Sequence, residues 1–193
     1  MTFKHHRAEV FLHPAAQAYA DDLKLGEMVV VQADRGENVG QVWHTCDSMM
    51  EAERVARNLN TDQLNNLLGF TRHYVAQAKA LSPLQSTYKV QSQPGWIIRR
   101  AEGRYLLDLQ RKEHDETKAK RIAAQKADDM GFPLEILDTE FQIDHQKLTI
   151  YYISSEYVRF KELVNNIYKI YKMRIWMSSI NPQHPPVTYE GGF

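Results

Sequence analysis

Apolar positions gather in two dense regions of the chain, with a longer and more polar stretch between them. In the first region, Met28-Val29-Val30-Val31 is apolar on both faces of an extended chain, so Glu27–Ala33 reads as a buried strand. Asp34-Arg35-Gly36-Glu37-Asn38 reads as a turn in which Gly36 is free to take positive φ. Val39–Trp43 returns as the partner strand, which makes a hairpin. Gly40 inside that strand marks a bulge or a close backbone approach. Upstream, Glu9–Leu12 is a short apolar run stopped by His13-Pro14.

The second region, Leu134–Ile180, is the densest and reads as hairpin, helix, strand. Leu137, Thr139, Phe141 and Ile143 alternate, predicting a half-buried strand. Asp144–Lys147 is a turn, and Leu148–Ile153 is apolar or aromatic on both faces, which places it centrally in a sheet. Phe160, Leu163, Val164, Ile167 and Ile170 recur at helical spacing within Tyr157–Tyr171. Arg174–Ile180 follows as a strand, and a parallel pairing with its predecessor implies a right-handed crossover.

The stretch between them opens with a capping box, Ser48-Met49-Met50-Glu51. Its leucine spacing predicts two helices, Met49–Leu59 and Thr61–Lys79, and Leu81–Gly95 reads as a linker or long loop. Trp96-Ile97-Ile98 is a short apolar segment. Gly103–Met130 reads as one long helix, apolar at its two ends. It is polar all round at Gln110–Lys118, which predicts exposure there. Gly131 suits the C-cap, and Pro133 stops the helix. The fold class is α+β: a mixed β-sheet with an N-terminal hairpin, a long helix, then hairpin–helix–strand. It forms a single domain over residues 1–180 with a helical insertion at 48–95, followed by an extended tail at 181–193.

Charge narrows the function classes. Lys plus Arg and Asp plus Glu number 24 each, so the net charge of zero does not favour strong non-specific nucleic-acid binding, although a local basic patch stays open. Cys46 is the one cysteine, which excludes an intrachain disulfide and a cysteine-based zinc or iron–sulfur site and fits a reducing compartment. No apolar run approaches the roughly 20 residues of a membrane span. The N-terminus lacks the apolar core of a signal peptide. The expectation is a cytoplasmic or nuclear protein without a membrane partner, whole or cut from a longer one.

Arg99, Arg100, Arg104, Arg111 and Lys112 are candidate phosphate contacts, set against an ordinary solvated helix start with Glu102, Asp108 and Glu113 interleaved. Arg159, Lys161 and Arg174 suggest a basic patch near Tyr157, or else ion pairs with Glu140, Asp144 or Glu162; for Arg174 the structural role is favoured. Trp43, Trp96, Trp176, Tyr151, Tyr152 and Tyr157 are able to stack bases, but core packing is the commoner role of strand aromatics. The eight histidines show no tight ligand spacing with cysteine or acids, so neither metal nor cofactor is expected. Ser154, Ser178 and Ser179 lie in no Gly-x-Ser-x-Gly elbow, and no glycine-rich phosphate loop occurs. His184–Tyr189 is able to dock as an extended peptide, with a frayed terminus the commoner outcome.

The chain resembles the C-terminal domain family of the polymerase suppressor protein. One part of the match is Gly26–Val31 with Gly36 and Val39–Val42, similar to the family's opening hairpin. The other runs from Ile97-Ile98-Arg99-Arg100-Ala101 through the long helix to Leu137–Asp144, Lys147–Tyr152, Phe160–Val164 and Arg174-Ile175. Ser48–Gly95 looks like an insertion between these parts. Two departures stand out. Where bacterial relatives open the last helix with Arg-Val-Asp-Phe-Arg, this chain has Tyr157-Val158-Arg159-Phe160-Lys161, and Met177-Ser178-Ser179 replaces Leu-Arg-Gln. The lone Cys46 also lacks company for the iron–sulfur cysteines of bacterial members.

The resemblance implies a regulatory role: bacterial members modulate RNA-cleaving machinery, and trypanosomatid members resemble subunits of mRNA-binding complexes. The expectation is a non-enzymatic protein-interaction domain of an mRNA-binding, post-transcriptional regulatory complex. Its partners would be protein subunits of that complex, in a homo- or hetero-oligomer. The alternatives are direct single-stranded RNA binding and a hydrolase, esterase or nuclease, with a site assembled in space.

Overall fold

The computed structural model describes residues 1–4, 7–13, 23–69, 94–154 and 158–180, with backbone alone at 61–69, 104 and 106. The α+β order holds, and the strands divide between two sheets. The first contains β1 (Phe11–Leu12), β2 (Met28–Gln32), β3 (Glu37–Gln41) and β4 (Gly95–Arg100), in the order β1-β4-β2-β3. The apolar segment around Ile97 is thus a strand, seated antiparallel to β2 and parallel to β1. Val29, Val31 and Ile97 pack on one face of this sheet with the N-terminal segment. Val30 and Val39 pack on the other with Ala101, Ile143, Tyr105 and Leu109. Gly40 is where Phe3 comes close: a Cβ there would stand 3.0 Å from its ring.

The second sheet holds β5 (Leu134–Phe141), β6 (Lys147–Ser154) and β7 (Arg174–Ser179). As its two-sided apolarity predicts, β6 is central, antiparallel to β5 and parallel to β7. The helix α3 (Lys161–Tyr171) makes the crossover and buries Leu163, Val164 and Ile167 against Leu148, Ile150, Ile175 and Met177. Ile170, expected on that face, is 47% exposed, while the next residue, Tyr171, packs against Phe141, so in the last turn the helix turns Tyr171 and not Ile170 onto the sheet.

The expected alternation from Leu137 breaks at a bulge between Ile136 and Asp138. Leu134 and Ile136 face the helices; past the extra residue, Thr139 and Phe141 pair with Ile150 and Leu148 on that same face. Leu137 is turned to the opposite face, beside Tyr151, Ile153 and Ile180. A single inserted residue exchanges the two faces of a strand, which is why a strict period of two fails here.

The long helix α2 (Arg104–Asp129) lays Ala119, Ala123 and Ala127 on the second sheet. It ends in a Schellman motif: Phe132 N–H donates to Ala127 O and Gly131 N–H to Asp128 O, both at 3.0 Å, with Gly131 at φ 67. Its polar middle is not wholly exposed. Glu116 is 2% exposed because Lys4, Lys112 and the Phe141 N–H surround its carboxylate.

The helix α1 (Met49–Gly69) runs unbroken through Thr61, where a restart was expected. No Gly or Pro interrupts it there, and buried Asn60 is bonded to both Ala8 N and Ala8 O. The remainder of the second expected helix, the linker as far as residue 93, Tyr157 and the tail lie outside the described residues, and Gly95, taken as the linker's end, opens β4.

Candidate functional site

Two surfaces of the fold have a shape and chemistry suited to binding. The first is a basic cleft of about 380 Å³ where three turns meet: Asp34-Arg35 after β2, Gln142–Lys147 between β5 and β6, and Lys172–Arg174 before β7. Asp144 joins two of these turns. Its carboxylate accepts from Glu37 N–H at 2.9 Å and from Gln146 N–H at 3.0 Å, and Gln142 Nε2 donates to both Asp144 and Arg35 O. Arg174 reaches Asp34 at 2.5 Å and closes the third side.

The cleft lining carries Arg35, Lys147, Lys172 and Arg174, with His145, against the one carboxylate Asp34. Two aromatic rings meet its cations. Lys147 Nζ and Arg174 Cζ lie 5.9 and 5.2 Å from the Trp176 ring, and Lys172 Nζ lies 5.9 Å from Tyr168. Burial, and then the nearby Arg7 charge, push the Lys147 ammonium below its ordinary value, while Glu140 and Asp34 pull the other way. His145 (φ 57) and Lys172 (φ 54) are the two non-glycine residues at positive φ among the described residues, one in the hairpin turn and one capping α3.

The other surface is an apolar groove of about 490 Å³ between α1 and the first sheet. Phe11, Leu12, Trp43, Met49, Val55 and Leu59 line it, and Trp43 and Met49 remain 45% and 41% exposed.

The residues singled out from the sequence separate on this framework. Arg174 lies in the basic cleft, paired with Asp34 and not with Glu140, Asp144 or Glu162. Arg99 holds Glu37 through two bonds of 2.9 and 2.6 Å and also meets the Tyr105 hydroxyl, an arrangement that favours its charged form. Arg100 pairs with Glu27 at 2.8 Å. Arg159 and Lys161 are exposed at the start of α3, a helix length of about 16 Å from Lys172. Arg104 opens α2, and Tyr157 lies outside the described residues. Tyr151 and Tyr152 are core residues. Ser154 is buried and donates to Pro133 O. Arg35, Lys147 and Lys172 were missed, since each belongs to a turn that looks merely solvated when read alone.

Fold and surfaces together define a two-sheet α+β domain, whose first sheet is completed only when β4 enters between β1 and β2. Residues 95–180, from the first residue of β4 to just past β7, match the family model described as the PSP1 C-terminal conserved region. Over this region, 86 of its 193 residues, the chain is similar to that family.

An uncharacterized protein of Schizosaccharomyces pombe is 33% identical over 187 residues, which cover 93% of this chain and 22% of that protein. Protein PSP1 of Saccharomyces cerevisiae is 45% identical over 47 residues, 24% of this chain and 6% of its own length. Stage 0 sporulation protein YaaT of Bacillus subtilis is 31% identical over 84 residues, 44% of this chain and 30% of its own length. The chain therefore spans less than a third of the length of each of these curated relatives. No solved structure matches it. Among the described residues, no helix is long and apolar enough to cross a membrane.

Proposed function

We propose that this chain is a non-enzymatic interaction domain of an mRNA-binding, post-transcriptional regulatory complex. In this reading it docks a partner subunit through the groove between α1 and the first sheet. The supporting observation is that groove: an apolar trough with Trp43 and Met49 left open to solvent. Large rimmed apolar surfaces are where protein partners bind, and an amphipathic helix is the segment that fits such a trough. A relative named for sporulation agrees with a regulatory setting.

The test is the native oligomeric state and the subunits that copurify with the protein. A defined subunit should copurify with the wild type and be lost from Trp43→Ala and Met49→Glu variants that melt like the wild type. A protein that purifies alone and monomeric overturns this reading.

The basic cleft favours a second reading, direct contact with single-stranded RNA. Cations beside aromatic rings are the equipment of single-strand binders. RNA binding that weakens steeply with salt and falls with Lys172→Ala and Arg174→Ala supports it. Retention that is indifferent to salt and to both substitutions removes it.

A further inference from the structure

We propose that His44, Cys46 and Glu51 form a binding site for a divalent transition metal of the zinc type, at the edge of the apolar groove. One ligand atom from each residue lies within 4.8 Å of the other two. Donors at zinc distances of roughly 2.0–2.3 Å around a tetrahedral ion stand about 3.5 Å apart. His44 and Glu51 are exposed and Cys46 is half-buried, so their side chains have room to rotate toward that spacing.

The backbone holds the three in place from both ends. Val42 N–H donates to Glu27 O at 2.8 Å and Val42 O accepts from Gly26 N–H at 2.7 Å, which fixes the point where the chain leaves β3. His44 and Cys46 are two positions apart in the short connection between β3 and α1, which brings both within 4.8 Å of Glu51. At the other end Ala52 N–H donates to Ser48 O at 3.0 Å, starting α1 and setting Glu51 in its first turn.

Glu51 has an ordinary reason to be there, since an acid in the first turn meets the positive end of the helix dipole. The dipole gives no reason for a thiol and an imidazole within 4.8 Å of it. Thiolate, imidazole and carboxylate together suit zinc and its neighbours, whereas magnesium and calcium avoid the sulfur. Three protein ligands leave a fourth position for water or for a side chain of whatever occupies the groove. The single cysteine and the histidine spacing both argue against a metal when the sequence is read alone, but one thiolate suffices where an imidazole and a carboxylate complete the donor set. The turn that brings Glu51 back to His44-x-Cys46 is invisible in a search of spacing alone.

The test is a cobalt titration of the reduced full chain. Because Cys46 is the one cysteine, a thiolate-to-cobalt charge-transfer band reports on that sulfur alone. The band should saturate at one equivalent and be bleached by zinc. Cys46→Ser should abolish it, and His44→Ala and Glu51→Gln should each weaken binding by on the order of tenfold or more, at least what loss of an outer-shell partner costs. Zinc should raise the melting temperature of the wild type but not of Cys46→Ser. A wild type without the band overturns the proposal, as do His44→Ala and Glu51→Gln variants that bind cobalt like the wild type.

Discussion

Glu140 shows how a buried charge is tolerated in this molecule. Burial pushes its carboxyl up, but the charges of Arg7 and Lys112, with hydrogen bonds from Arg7 and Tyr151, override that and hold it at about 2. Arg7 Nη2 lies 2.9 Å from Oε1, and the Tyr151 hydroxyl donates to Oε2 at 2.7 Å. Lys4 is held similarly, at 3.0 Å from Glu116 and 2.9 Å from Asp138. For Lys4 too the carboxylates outweigh burial, so its affinity for the proton is raised. The N-terminal segment is thereby clamped to the second sheet.

The sign for Glu140 follows from its depressed folded value. Its stabilisation is fully present above the unfolded value of 4.5 and is lost as pH falls toward 2. Glu140→Gln should cost about 1–3 kcal/mol at neutral pH, since it takes from Arg7 one of its two carboxylate partners, Glu9 being the other, and weakens the bond from the Tyr151 hydroxyl. It should also flatten the loss of stability on acidification. Urea unfolding across that pH range measures both effects, and acid limbs of equal slope in the two proteins would disprove the assignment.

At the scale of elements, α3 separates two residues that periodicity had treated alike. Ile167 is fully buried between the two strands that the helix connects, and Ile170 is 47% exposed. Ile167→Ala should cost about 2–5 kcal/mol. Ile170→Ala should stay within about 0.5 kcal/mol of the wild type. Comparable losses from both variants, read from urea midpoints, would mean that the helix is rotated from its described seat.

Apolar periodicity was enough to find β2, β3, β6, α2 and α3, because each buries a repeating row of side chains. It failed where one residue changes the frame, at the β5 bulge after Ile136. It failed again where a polar row is buried by partners far away in the chain. Nothing near Glu116 says that Lys4 will cover it. The cleft was legible at Arg174 alone, because Arg35, Lys147 and Lys172 come from turns that only the tertiary fold brings together. Trp43 was a candidate for base stacking, whereas the structure gives it a groove to line.

The whole molecule depends on how its two sheets are joined, and Gly36 sits at that joint. It has φ 73, and a Cβ on it would stand well inside contact distance of Asp144 Oδ2 and 3.2 Å from both Asp144 Cγ and Gln146 Nε2. The β2–β3 turn is thus pressed onto the β5–β6 turn, with Asp144 as the shared anchor. Gly36→Ala meets two separate penalties: left-handed backbone strain of about 1 kcal/mol, and displacement of the Asp144 carboxylate from its donors. Asp144→Ala loses the same hydrogen bonds by another route, but it also removes the atoms that an added methyl would strike.

The two substitutions should therefore be strongly non-additive. In the Asp144→Ala background, Gly36→Ala should cost the backbone strain and a small shift of the Gln146 side-chain amide, giving a coupling energy of at least about 1 kcal/mol. Urea unfolding of the four proteins in the cycle gives this number directly. Additivity within about 0.5 kcal/mol would mean that the turns do not bear on one another. The cleft residues Arg35, Lys147 and Lys172 would then be held in place by their own turns and not by the meeting of the sheets.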